Sequence, residues 1–190
     1  MAVVFETDRL VVRQWGERDG DLARALDTYS RWEVARWLGS TPRAWEGPAD
    51  AEAFLERCRA RSADPRYGVW AVERRDTGVV AGSVLLVPLP LPLPLPVGEG
   101  DGDGSGGGEV EVGWHFHPDS WGHGFATEAA RGALAKGFGE GLREIHAVVY
   151  PGNEPSMAVC RRLGMTGLGR TSRWYGVELE AFRIGRPDGE

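Results

Sequence analysis

Cysteine is scarce in this chain: Cys58 and Cys160 are the only two among 190 residues. They lie far apart without metal-ligand spacing, so no metal is expected and no disulfide framework can be drawn. Two thiols in a chain of this size fit a reducing compartment. Basic charge is also in deficit, with 22 Lys and Arg against 28 Asp and Glu and a net charge of −6. That balance argues against a nonspecific grip on nucleic acid or an anionic membrane, although a local site can still hold an anion. Long hydrophobic runs are missing. No stretch approaches membrane-spanning length, and no basic segment followed by an apolar one stands near Met1. A cytoplasmic protein with neither membrane nor nucleic-acid partners is the expectation.

What is present is the composition of an ordinary globular protein. Hydrophobic residues make up 42% and charged residues 26%, and 190 residues suffice for one domain with a sizeable core. Leu10, Val11 and Val12 within Asp8 to Gln14 predict a first strand. A helical stretch from about Asp19 to Leu38 is broken near Ser30, and its Trp32 and Trp37, with Trp45, either line a cleft or fill core. Pro48 to about Ser62 reads as an amphipathic helix with Ala51, Phe54, Leu55 and Cys58 on one face. Tyr67 to Arg75 and Val79 to Val87 read as a hairpin turning at Asp76-Thr77-Gly78.

Pro88 to Pro96 then alternates proline with leucine, and Gly98 to Gly108 is nearly all glycine with Glu and Asp. Alternating proline lacks the donors of a central strand, and the glycine run has little to bury. Residues 88–108 are expected to be an exposed insertion between neighbouring strands, inside a single domain spanning 1–190. Beyond it, Glu109 to His117 alternates, with Val110, Val112, Trp114 and Phe116 on one face and Glu109, Glu111, His115 and His117 on the other. Glu144 to Tyr150 is a further strand. Asn153 caps a short helix carrying Pro155 in its first turn, with Val159, Cys160 and Leu163 as its buried stripe and Gly164 at its end. Two last strands, about Gly167 to Trp174 and Glu178 to Arg186, turn at Gly176. The order is mixed α/β.

The densest signal is Trp121-Gly122-His123-Gly124-Phe125-Ala126-Thr127-Glu128, which follows the alternating strand and opens a helix. That helix repeats Ala126, Ala129, Ala130, Ala133, Leu134 and Phe138 at helical spacing. A helix start presents unpaired N–H groups and the positive end of the dipole, and glycines let an anion reach them. A tight turn without a ligand would use the same residues. A dinucleotide-binding module is disfavoured, because there is no second glycine fingerprint and no suitably placed acid for a ribose.

Taken together, these segments resemble the GNAT superfamily of acyl-CoA N-acyltransferases, and within it the RimJ/RimL-type enzymes. Glu6-Thr7-Asp8-Arg9-Leu10-Val11-Val12-Arg13 is similar to the family's opening strand, and Val79-Val80-Ala81-Gly82-Ser83 to its third. Glu111-Val112-Gly113-Trp114 through Trp121-Gly122-His123-Gly124-Phe125-Ala126-Thr127-Glu128-Ala129 is similar to the pyrophosphate motif and the strand before it. Asn153-Glu154-Pro155-Ser156, ending in Leu163-Gly164-Met165, is similar to the second cofactor motif. The resemblance covers nearly the whole chain outside the insertion. It implies an α/β fold with a central, mostly antiparallel sheet flanked by helices, and a splay between two parallel strands.

The resemblance also implies the site. Backbone from Trp121 to Thr127, through Gly122, His123, Gly124, Phe125 and Ala126, would hold the pyrophosphate of acetyl-CoA, with Trp121 replacing the Gln or Arg common at that position. The pantetheine arm would enter the splay beside Trp114, His115 and Phe116, and Asn153 would hydrogen-bond it, although Asn153 also serves as a plain helix cap. Backbone N–H groups near Trp114 to Phe116 would polarise the thioester carbonyl. An ammonium must lose a proton before it attacks a thioester. Glu111 stands where the family often carries a base, His115 shares its face as a competitor, and Glu109 lies further from the splay. Many relatives use a tyrosine to protonate the departing thiolate. Here that position is Cys160, read as packing rather than nucleophile, and Ser156 is the candidate donor instead. The expected activity is direct transfer of acetyl from acetyl-CoA to a protein N-terminal or small-molecule primary amine in a ternary complex. The alternative is a noncatalytic acyl-CoA sensor. A homodimer is compatible with the sequence, which leaves oligomeric state open.

Overall fold

The computed structural model describes residues 3–61, 63–90 and 108–187. The chain runs β1 (Val3–Glu6), β2 (Leu10–Gln14), α1 (Asp21–Ser30), α2 (Trp32–Ala35), α3 (Pro48–Arg61), β3 (Gly68–Arg74), β4 (Val80–Pro88) and β5 (Val110–Phe116). A single 3-10 turn, Pro118–Ser120, leads to α4 (Phe125–Gly139), β6 (Glu144–Val149), α5 (Glu154–Arg162), β7 (Thr166–Thr171) and β8 (Leu179–Gly185). The strands form one sheet in the order β1-β2-β3-β4-β5-β6-β8-β7. Every neighbouring pair is antiparallel except β5 and β6. The turn and α4 form the crossover that a parallel pair requires.

Helices cover both faces. On one, α4 packs its small residues Ala129, Ala130 and Ala133 against Val112, Phe116, Ile145 and Ala147. These small side chains let the helix lie close to the sheet. At Gly132 the approach is closest, since a Cβ there would collide with the Phe5 ring of β1. On the other face Ala25 and Tyr29 of α1, and Leu55 and Cys58 of α3, cover Trp15, Ala71 and Leu85. The middle strands β3 and β4 are therefore buried almost throughout, which explains their near-continuous apolar runs. Each large aliphatic side chain taken fully from water, Leu10 or Ile145 for example, contributes about 1.5–3 kcal/mol.

One buried ionic knot fixes α1 to the sheet. Arg13 on β2 donates to both carboxylate oxygens of Asp21, at 2.8 and 2.9 Å, and through Nε to Glu73 on β3 at 2.8 Å. The paired carboxylates hold the Arg13 guanidinium charged despite its burial, and Asp21 stays below the usual carboxylate range.

Several boundaries move from their sequence expectation. The strand containing Leu10 to Val12 is second, because Val3–Glu6 precedes it as an edge strand. The helical stretch does break near Ser30, into α1 and α2. Trp45 packs with Tyr29 and Phe54, Trp32 is exposed, and Trp37 lines the cleft described below. The strand expected from about Gly167 to Trp174 stops at Thr171. Most of the expected insertion lies outside the described residues. Its first described part is ordered: Leu89 is buried against Trp174 and Ala181, and its amide donates to the Glu109 carbonyl at 2.7 Å.

Candidate active site

Strands β5 and β6 pair at Glu111 and His146, and no further pairing follows toward Phe116 and Val149. Their later halves diverge, as the resemblance implied. A cleft of about 1120 Å³ opens at this end of the sheet. Every residue from Trp121 to Thr127 lines it, together with Trp114, His115, Phe116, Asn153 and Ser156.

The turn before α4 is built to present backbone. Gly122 and Gly124 both take left-handed conformations, with φ +80° and +78°, which a Cβ would strain. A Cβ at Gly122 would meet no atom of the described chain, so that position faces open space. Gly124 is the N-cap of α4 and supplies no capping side chain. The first intrahelical bond comes from the Glu128 amide to the Gly124 carbonyl at 3.1 Å. The amides of Phe125, Ala126 and Thr127 precede it and have no intrahelical acceptor. By contrast, α5 is capped: Asn153 Oδ1 accepts from the Ser156 amide at 3.4 Å. The plain capping role of Asn153 is therefore present, beside its place on the cleft wall.

Trp121 anchors the turn by donating Nε1 to the Phe116 carbonyl at 2.8 Å. His123 stacks on Phe125. Arg9 reaches across from the β1–β2 turn, donates to the His123 carbonyl at 3.0 Å, and lies over the Phe125 ring. Arg36, Arg131 and Arg162 also line the cleft. Asp8, Glu33 and Glu128 line it too, and Glu128 is paired with Arg9, so the lining carries a small positive excess on a chain of net charge −6, which suits the polyanionic end of CoA. Sequence reading missed these arginines, because they come from four separate segments.

A second cavity of about 290 Å³ lies against the first, and Trp37, Leu38, Trp114, His115, Asn153 and Ser156 line both. Glu111 belongs to this second cavity alone, where Leu85, Val87 and Leu179 give it apolar surroundings. Burial pushes the Glu111 carboxyl up to about 7, against the opposing pull of a hydrogen bond from Tyr175 and the charge of Arg61. Tyr175 Oη donates to Glu111 Oε2 at 2.5 Å. His115 is held differently: burial pulls it down to about 4, and Nδ1 lies 3.3 Å from Tyr29 Oη. Its imidazole is neutral at physiological pH.

The remaining candidates separate clearly. Glu109 is engaged by Trp174 Nε1 and Arg173, each at 3.0 Å. Cys160 is fully buried and its thiol is pushed up to about 12, so it carries no thiolate near neutrality. Ser156 sits on the wall common to both cavities. Among the described residues no group of acidic, His or Cys side chains could hold a metal ion, and no helix is long and apolar enough to cross a membrane.

Comparison with known proteins identifies the family. The family model described as acetyltransferase (GNAT) domain matches residues 9–166. The chain belongs to the GNAT acetyltransferase family, whose general activity is acetyl transfer dependent on acetyl-CoA. It is 28% identical over 165 residues to an uncharacterized N-acetyltransferase of Bacillus subtilis strain 168, YoaA, across 86% of this chain and 83% of that protein. Its fold is similar to a GNAT-family acetyltransferase from Bacillus anthracis, with a TM-score of 0.71 and 20% identity, covering 95% of this chain and 96% of that one. RimJ of Mycobacterium smegmatis, solved in complex with CoA-disulfide, matches with a TM-score of 0.70 and 20% identity, over 93% of this chain and 81% of that one.

Proposed function

We propose that this chain is an N-acetyltransferase that moves acetyl from acetyl-CoA to a primary amine by direct transfer in a ternary complex. The observation that carries this reading is the meeting of two cavities at Trp114, His115, Asn153 and Ser156. The larger has an uncapped helix start suited to a pyrophosphate, and the smaller contains a half-buried carboxylate of raised pKa suited to an amine. Acetyl-CoA supplies the thioester whose carbonyl carbon the amine attacks.

Each step then has a residue. Glu111 takes the proton that the ammonium must lose, and its elevated pKa matches that task near neutral pH. Backbone N–H groups near Trp114 to Phe116 polarise the carbonyl across the splay. The amine nitrogen bonds to the carbonyl carbon, the C–S bond breaks, and Ser156 Oγ–H hydrogen-bonds the departing sulfur, which takes up the second proton that the acylated nitrogen sheds. His115 is the weaker candidate base, because burial leaves it little affinity for a proton at pH 7.

Trp121 at the head of the turn and Ser156 in the first turn of α5 favour a RimJ/RimL-type member, with residues 1–190 as one acetyltransferase domain. The acceptor is a protein N-terminal amine or a small-molecule amine. One observation favours a second reading, a noncatalytic acyl-CoA sensor: the position of the usual tyrosine acid holds buried Cys160. A screen of CoA release from acetyl-CoA against peptides, aminoglycosides, polyamines and amino acids separates the two. Turnover on one amine class supports the enzyme. Tight acetyl-CoA binding without turnover on any supports the sensor.

A further inference from the structure

Tyr175 lies in the connection between β7 and β8, and its backbone is unusual. Among the described residues it is the one non-glycine with positive φ, at +60°. Any residue with a Cβ is disfavoured there, and a glycine would fit more easily. Gly176 beside it also has positive φ. The preceding Trp174 is buried and donates Nε1 to Glu109 at 3.0 Å, which pins the loop over β5. The outcome of this geometry is a phenol hydroxyl delivered 2.5 Å from Glu111 Oε2. Tyr175 is the one donor to that carboxylate among the described residues, and it is also one of the residues lining the smaller cavity.

We propose that Tyr175 is a positioning residue for acetyl transfer: its left-handed backbone aims the hydroxyl at Glu111 Oε2, fixing the carboxylate and leaving Oε1 for the acceptor amine. The proposal rests on Glu111 being the base. A donor to a carboxylate favours its ionised form, so Tyr175 also keeps Glu111 deprotonated to lower pH than burial alone would allow. The other charged or titratable groups around Glu111 are Arg61 at the end of α3, Glu109 just before β5, His115 on β5, His146 opposite Glu111 on β6, and Tyr150 just after β6, whose hydroxyl donates to the Gly39 carbonyl. Arg61 acts in the same direction as Tyr175. Glu109 is already paired, and neither histidine donates to Glu111.

The test is the pH dependence of kcat/KM for Tyr175→Phe, Tyr175→Gly and Glu111→Gln, with CoA affinity measured for each. Both Tyr175 variants should lose about tenfold at pH 6.5 and recover to within about twofold of the parent at pH 9. Their acid limb moves to higher pH while CoA affinity is unchanged. Tyr175→Gly removes the backbone strain together with the hydroxyl, so its agreement with Tyr175→Phe assigns the effect to the hydroxyl rather than to folding. If Glu111→Gln is inactive and the Tyr175 variants keep the parent's acid limb, this inference is overturned. A Glu111→Gln variant with parental turnover instead overturns the underlying assignment of the base.

Discussion

Glu128, in the first turn of α4, is held by Arg9 of the β1–β2 turn, whose Nε donates to its Oε2 at 2.7 Å across 119 residues of sequence. The Arg9 amide and the Thr7 hydroxyl both donate to Glu128 Oε1, at 2.9 and 2.6 Å. Because Arg9 also donates to the His123 carbonyl, one side chain braces the glycine-rich turn from outside. The acid in the motif is thus consumed by structure and leaves the helix start open to an anion.

Arg9→Ala should therefore loosen the turn more than it destabilises the protein. The Arg9 side chain is about half exposed, and exposed ion pairs contribute about 0–1 kcal/mol to stability. CoA affinity should fall about 3- to 10-fold by calorimetry, because a bracing group and a nearby cation are lost together. Unchanged affinity would separate Arg9 from the cofactor cleft.

Gly124→Val tests the helix start itself. A β-branched residue is strained at φ +78°, and its side chain would stand at the uncapped amides. CoA binding should weaken by about 2 kcal/mol, roughly thirtyfold, if charge-assisted hydrogen bonds are lost. A folded variant with parental affinity would place the pyrophosphate elsewhere.

The insertion makes a stability prediction that the structure sharpens. The chain ends flanking it are already adjacent, since the Leu89 amide bonds to the Glu109 carbonyl. Replacing residues 91–107 with a short Gly-Ser turn should change the melting temperature by less than about 3 °C, given a closure term of about 0.6 kcal/mol per doubling of length. Leu89→Ala, in contrast, empties a buried position against Trp174 and should cost about 2 kcal/mol or more. A large drop for the loop replacement would show that the segment packs on the body.

These residues also mark how far the sequence could be read. The β5 alternation, the small-residue face of α4 and the Asn153 cap are local periodicities, and each took its expected place. Strand β1 escaped notice because four residues at a sheet edge, two of them exposed, give a weak pattern. Arg9 and Tyr175 escaped for a different reason. Their partners lie 119 and 64 residues away, and no local pattern announces a contact made by tertiary folding. Glu111 was legible as a strand carboxylate, but its elevated pKa depends on neighbours from several elements.

The most direct test of the account is turnover by Glu111→Gln across pH, on an identified acceptor, with CoA affinity measured alongside. With the parent carboxyl at about 7, the base form is lost as pH falls through that value, so parent kcat/KM should decline below about pH 7. The variant should be slower by about 10²–10⁴-fold near neutrality, with CoA binding intact and the deficit shrinking at high pH, where more amine is already neutral. Near-parental turnover across the whole range would contradict the assignment and move the search for a base to His115 or an ordered water.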